Sequence, residues 1–327
     1  MRIADVNVKK YTTILSFLLL VVFVAGLSLG TININLFQEI FSHHEDMKFI
    51  LQMRIEREIM AICCGGMLAT GSAMLQDLTG NKMVAPDLIG MTSVACLLII
   101  ICNLFWIKSP ILNELLAITG SALGFLACLF LAKNNIANRL GFVLIGVSIS
   151  FALSAVMQLL ILNAPESMDA YFHFMTGSLY ATQFETVLIV ISAVLIALPV
   201  CFIISKRFLV FSLDSATCHS IGVSIKTYRI SSFLLAAFLV GSSVVGVGHL
   251  GFLGIVAPNL ARLMVGNRPP HIFILSFLVG GLIYLFADIL GRCLISPVEI
   301  PAGMLTNILG APLFIYILFK YYRGQYE

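Results

Sequence analysis

The stretch RIEREIMAICCGGMLATGSAMLQ, residues 54–76, decides how this chain folds. It opens with Arg54, Glu56, Arg57 and Glu58 and then runs to Gln76 without another charge. Apolar residues stand on every side of it, so it shows neither the one-faced stripe of a half-wet helix nor the alternation of a half-wet strand. A run of this kind matches the roughly 20 residues, rising about 1.5 Å each, that cross a bilayer's hydrocarbon core. Gly65, Gly66, Ala69, Gly71 and Ala73 lie within it, and Gly141 and Gly146 occur further on. Such small residues let helices approach closely where lipid supplies no hydrophobic drive for association.

Outward from this stretch, similar runs fall at about 11–30, 50–76, 84–105, 111–132, 140–162, 184–205, 229–248, 250–265, 271–294 and 300–320. The expected fold is therefore all-α and polytopic, with about ten transmembrane helices and both termini on one side. The eighth run is short, is reached through Gly248, Gly251 and Gly254 and is interrupted by Pro258, so a tilted or partly re-entrant path is expected there. The first run is too long for a signal-peptide core and has no clear cleavage site after it, so it is expected to remain as a span. Composition agrees: 60% of the 327 residues are hydrophobic, 11% are charged and the mean hydropathy is +1.03. A soluble chain of that balance would expose apolar surface it could not hide. Membrane β-strands need alternating polarity, which these segments lack.

Of the 19 Lys and Arg residues, this threading puts only Lys48, Arg54, Arg57, Lys108 and Arg292 on one side, leaving fourteen (19 minus 5) on the other. The positive-inside rule places the termini in the cytoplasm. The chain is read as one transmembrane domain over 1–327, with two long connectors. The cytoplasmic one, about 206–229, has the look of two short helices forming a platform for a soluble partner. The outer one, about 163–184, has room for a helix along the surface.

The basic residues are scattered and the net charge is only +3, so no nucleic-acid footprint appears. The cysteines at 63, 64, 96, 102, 128, 201, 218 and 293 lack C-x-x-C spacing and read as small apolar packing residues. Apart from the His43-His44 pair, read as solvated residues of an outer loop, the histidines do not cluster at ligand spacing, and no metal or bound cofactor is expected. No phosphate-binding loop occurs, since Gly222 to Thr227 supplies only one of the required glycines; ATP, if used, is used by partner subunits. Ionisable residues deep in the spans are few, which counts against an ion-coupled carrier. Asp288 and Arg292 stand four apart on one helical face and read as a structural pair. Arg54 and Arg57 share a face at the outer end of the second span, with Arg292 also near the outer side. Snorkelling explains one such arginine, while the group suggests docking of an acidic partner.

The stretch from Arg54 to Gly90 resembles the signature of the FecCD family, permeases of ABC importers for ferric siderophores, haem and vitamin B12. The family's R-L-P-R reads R-I-E-R at 54–57 here. Ala61, Gly65, Leu68 and Gln76 follow its helix pattern, and Asn81, Pro86, Ile89 and Gly90 its N-P-L-A-x-P-x-x-L-G turn. A second block is matched by Gly248, Gly251, Phe252, Gly254, Pro258 and Arg262. It continues through Ala287, Asp288, Arg292, Pro297, Glu299, Pro301 and Gly303 to Leu309–Pro312. Four positions depart from the pattern. Glu56 stands for the proline between the arginines, Ser72 for a glycine, Lys82-Met83 for Pro-Leu, and Asn259 for a histidine.

The resemblance implies the BtuC-like permease fold, a bacterial inner-membrane location and alternating access without covalent chemistry. Its implied partners are a second permease subunit, two cytoplasmic ATPases and an external substrate-binding protein. It puts Arg54, Arg57 and Arg292 at the binding-protein dock, Ala216, Ile221 and Gly222 at the ATPase coupling segment, and Asn138 and Arg139 at the cytoplasmic gate. The expected function is the permease step of an ATP-driven importer, with a ferric siderophore as cargo. The alternative is an ion-coupled secondary transporter or an exporter with no ATPase partner; transport by the isolated chain under an ion gradient would distinguish it.

Overall fold

The computed structural model describes residues 2–30, 45–105, 109–132, 139–163, 168–180, 182–211 and 225–323. Among them are eleven helices and no strand. The helices are α1 (Arg2–Ser28), α2 (Glu45–Thr79), α3 (Met91–Leu104), α4 (Pro110–Leu131), α5 (Arg139–Leu162) and α6 (Met168–Thr176). They continue as α7 (Phe184–Phe211), α8 (Ile225–Val247), α9 (Leu253–Val265), α10 (Pro269–Leu294) and α11 (Ala302–Arg323). Seven of these, α1, α2, α4, α5, α7, α8 and α10, contain segments long and apolar enough to cross a membrane. Apolar helices too short for that criterion are α3, α9 and the Ala302–Tyr316 part of α11. Each run anticipated above holds one of these ten helices, and α6 lies in the 163–184 connector.

The helix containing the opening stretch is the centre of the bundle. Of its apolar window 83% is buried, against 11% for α1, and it packs along both α8 and α10. The small residues set those contacts. A Cβ on Gly65 would stand 2.6 Å from the Gly280 carbonyl oxygen, and one on Gly280 would meet the Gly65 carbonyl in return, so the α2 and α10 backbones touch. Gly71 faces the Val240 side chain of α8, and Gly146 of α5 meets the backbone of Leu88 and Ile89. Exposed Leu115, Leu123, Leu126 and Phe130 on α4, and Leu188, Leu195 and Ile196 on α7, form apolar outer surfaces, as expected of helices facing lipid.

The short α9 has a local cause. Gly248 adopts φ +80°, and a side chain there would run into the Phe174 carbonyl at the end of α6. The next amide, His249 N–H, donates to that same carbonyl at 3.1 Å. The extended peptide is thus held against α6, and the helix starts only at Leu253. Pro258 inside α9 has no N–H for the Gly254 carbonyl one turn back. The side-chain amide of Gln76, on α2, donates to that carbonyl at 3.4 Å and to Val84 O at 3.1 Å. A neighbouring helix therefore satisfies the group that proline leaves open, as irregular backbone at membrane depth requires.

Candidate functional site

Helices α2 and α10, with the segment that follows α10, bring charges together at the end of the bundle where α2 begins. Arg57 lies one side-chain length from α10, and each nitrogen of its fork donates a hydrogen bond. Its Nε donates to the two Asp288 carboxylate oxygens at 3.1 and 3.0 Å, Nη2 donates to Oδ1 at 2.8 Å, and Nη1 donates to Glu299 Oε2 at 2.7 Å. Arg292, one turn beyond Asp288 on α10, pairs with Asp288 at 3.2 Å and reaches Glu58 at 3.4 Å. Arg54 donates through Nη1 to the Leu27 carbonyl at 2.8 Å, one of the unpaired carbonyls in the last turn of α1. Three guanidiniums and three carboxylates (Glu58, Asp288, Glu299) thus balance to zero formal charge.

Burial separates the members. Glu58 and Asp288 are inaccessible or nearly so, Arg292 is 3% and Arg54 8% exposed, while the side chains of Arg57 and Glu299 keep 14% and 19% of their surface. The structure therefore gathers the sequence-predicted Arg54, Arg57 and Arg292 into one place. It also realises the Asp288–Arg292 pairing. The expected basic docking spot is already engaged within this chain, Arg57 and Arg292 by carboxylates and Arg54 by the Leu27 carbonyl. Glu58 and Glu299 were not anticipated as partners. Their partners lie more than 230 positions away in sequence, so no local spacing announced them.

A second polar knot lies at the opposite end of α2. Arg262 of α9 donates to Gln76 Oε1 and, at 2.9 Å, to Asp77 Oδ1. Asn259 donates to the Lys82 carbonyl at 3.1 Å and to Ile255 O at 2.8 Å. Two of the departures from the family pattern, Asn259 and the Lys82 turn, are therefore in direct contact. A third feature escaped the sequence reading: Glu114, one turn into α4, is 9% exposed and receives the Ser242 hydroxyl of α8. A lone carboxylate in an otherwise apolar run was the available signal.

Arg139 is the first residue of α5. Asn138 and the coupling-segment residues Ala216, Ile221 and Gly222 lie outside the described residues. Cys64, Cys96, Cys102, Cys128 and Cys201 are buried, Cys63 is half-buried and Cys293 is exposed. Cys218 falls outside the described residues.

A bundle with seven helices long and apolar enough to cross a membrane, its ion pairs gathered near the two ends of α2, describes a multi-pass membrane protein. The chain belongs to the FecCD transport family, whose profile matches residues 18–320. It is 34% identical over 284 residues to the "Probable siderophore transport system permease protein YfhA" of Bacillus subtilis (strain 168), covering 84% of this chain and 82% of that one. It is 31% identical over 310 residues to the "Fe(3+)-citrate import system permease protein YfmE" of the same organism, covering 93% of each. Identity to the "Probable heme-iron transport system permease protein IsdF" of Staphylococcus aureus (strain Newman) is 29% over 324 residues, 97% of this chain and 98% of that one. Among solved structures, an inward-facing transporter described as of the metal-chelate ABC type superposes with a TM-score of 0.78. That match has 27% identity and covers 96% of this chain and 99% of the other.

Proposed function

We propose that this chain is the membrane-spanning subunit of an ATP-driven importer for ferric siderophores, working by alternating access between two permease subunits. Two separate cytoplasmic ATPases drive it, and an external binding protein delivers the cargo. The observation that carries this reading is near full-length similarity to permeases named for siderophore, ferric citrate and haem-iron transport. The excess of basic residues near the end opposite the arginine cluster supports an orientation with cytoplasmic termini in a bacterial inner membrane. On that orientation the arginine cluster faces outward, and α3, α9 and α11 complete ten crossings.

Docking at Arg54, Arg57 and Arg292 then takes a particular form. The guanidiniums are already engaged, so an incoming carboxylate has to share or displace a carboxylate of this chain at Arg57 and Arg292, and the Leu27 carbonyl at Arg54. Glu299 is the member at the rim, and the one with most access to water. Coupling through Ala216, Ile221 and Gly222, and gating through Asn138 and Arg139, remain part of the same proposal.

The test is purification of this chain with its associated subunits. An ATPase is expected to come with it, and ATP hydrolysis is expected to rise when a binding protein loaded with ferric siderophore is added. Arg54→Glu should abolish that rise while the assembled complex keeps its size and its basal hydrolysis. Arg57→Lys, which keeps the charge facing Asp288 but loses the fork, should weaken it. Unchanged stimulation in both variants would sink the docking assignment. Transport by the isolated chain under an ion gradient would sink the importer reading itself.

A further inference from the structure

The charge-free run from Ile59 to Gln76 on α2 is eighteen residues, about 27 Å of helix, which matches the hydrocarbon thickness of a bilayer. On the orientation proposed above, Arg57 and Glu58 therefore mark its outer edge. The helix continues past that edge to Glu45. Phe49, Met53 and Arg57 recur every four residues and so share a face. From Arg57 inward α2 packs on α10: Arg57 meets Asp288, the Gly65 and Gly280 backbones touch, and the Thr70 hydroxyl donates to Phe273 O at 3.4 Å. These pairings run antiparallel. Continuing their register brings Met53 level with the last turn of α10, and Phe49 level with the segment that follows it.

That segment is apolar too. Residues 293–298 read CLISPV, carry no charge and are all exposed. Phe49, Met53, Leu294, Ile295 and Val298 each keep more than half of their surface open. Leu294 stands about 9 Å beyond Asp288 along its helix and Phe49 about 12 Å beyond Arg57, whereas the headgroup layer adds only roughly 5–8 Å outside the hydrocarbon. The patch therefore faces water, where exposed apolar surface of this kind marks an interaction site. It is also held rigid. Arg292 before the turn is bound to Asp288 at 3.2 Å, and Glu299 after it to Arg57 at 2.7 Å. Val298 N–H donates to Ile295 O at 2.9 Å, and Ile300 N–H to Gly291 O at 3.1 Å. Side chains fixed in this way lose little freedom when a partner covers them, as an interface anchor requires.

We propose that Phe49, Met53, Leu294, Ile295 and Val298 form the apolar anchor of the binding-protein dock, entering an apolar recess on that protein whose rim brings a carboxylate to Arg57. This rests on the importer reading above. The occupant follows from position: the height of the patch above the charges takes it out of lipid, and its continuity with Arg57 and Glu299 puts it in the same footprint as the dock. The arginines have their charges balanced within the chain, so they set orientation while the anchor supplies the affinity.

Two measurements on the assembled complex in nanodiscs test this. The first asks what touches the turn before any binding protein is added. Cys293 is exposed and can carry a bimane label, with Cys293→Ser labelled in parallel as background. Its fluorescence should be quenched by iodide and not by brominated phosphatidylcholine. Quenching by the brominated lipid would place the turn in the bilayer, and quenching by neither would mean that a second permease subunit covers it; each overturns the proposal. The second measurement is the affinity for the binding protein that stimulates ATP hydrolysis in the experiment above. Leu294→Ser with Ile295→Ser, and separately Phe49→Ser, should each weaken binding by about tenfold or more. Unchanged affinity in either, beside normal binding to wild type, overturns the anchor and leaves the importer reading standing. If no loaded binding protein binds wild type, both fall together. Circular dichroism and elution volume identify a variant that has failed to assemble. Should the double variant do so, Val298→Ser takes its place, with the same loss expected and the same result overturning the anchor.

Discussion

Asp288→Ala is expected to be among the most damaging single substitutions in this protein, lowering stability by about 3–5 kcal/mol, because it strips a buried carboxylate from two guanidiniums at once. Asp288 is 1% exposed, and it accepts three contacts from Arg57 and one from Arg292. Without it Arg57 retains only Glu299, and Arg292 only its longer contact to Glu58. Neither guanidinium can reach bulk water easily. The midpoint of unfolding in mixed detergent and dodecyl sulfate measures the effect. The double variant Asp288→Ala with Arg57→Met should be less destabilised than Asp288→Ala alone, since the second change removes one of the stranded charges. Strict additivity of the two changes would show that the pair is not coupled.

The second large effect is expected at the crossing of α2 and α10. Gly280→Val inserts three carbons where the Gly65 backbone already fills the space, and the obstacle is a carbonyl rather than a side chain that could rotate away. Overpacking of this kind should cost roughly 3 kcal/mol, the upper part of its usual range. Because these helices form the centre of the bundle, the loss should appear as poor recovery of folded protein as well as a lower unfolding midpoint. Leu123→Ala, on the outward face of α4, should stay within about 0.5 kcal/mol of wild type. Equal behaviour of the two variants would contradict the close crossing.

These two sites differ in how far the sequence revealed them. The helices were legible because their cause is local: a lipid solvent demands apolar side chains all round, and the charge at Arg54 and the turn at Gly80 mark where that demand ends. Gly65 and Gly71 could be recognised as close-packing residues, but not matched to Gly280 and Val240, because periodicity says which face is narrow without saying what faces it. The charged cluster was half visible. Asp288 and Arg292 share a helical face and announced themselves, whereas Arg57 meets Glu299 only after α2 and α10 have packed. That is why the arginines read as a docking spot for an external acidic group in the sequence and turn out to be engaged within the chain. Gln76 is similar: its family position was evident, but its part in completing the proline-broken α9 depends on a contact between separate helices.

The internal balance of the arginine cluster has a consequence for how anything approaches that face. Opposite charges a few ångströms apart cast a field that decays quickly with distance, and at physiological salt it is further cut within about 8 Å. A partner diffusing in would feel almost no long-range pull from these three arginines. Its rate of arrival should therefore be nearly flat with ionic strength, while the lifetime of the complex, once carboxylates have traded places, should carry most of the salt sensitivity.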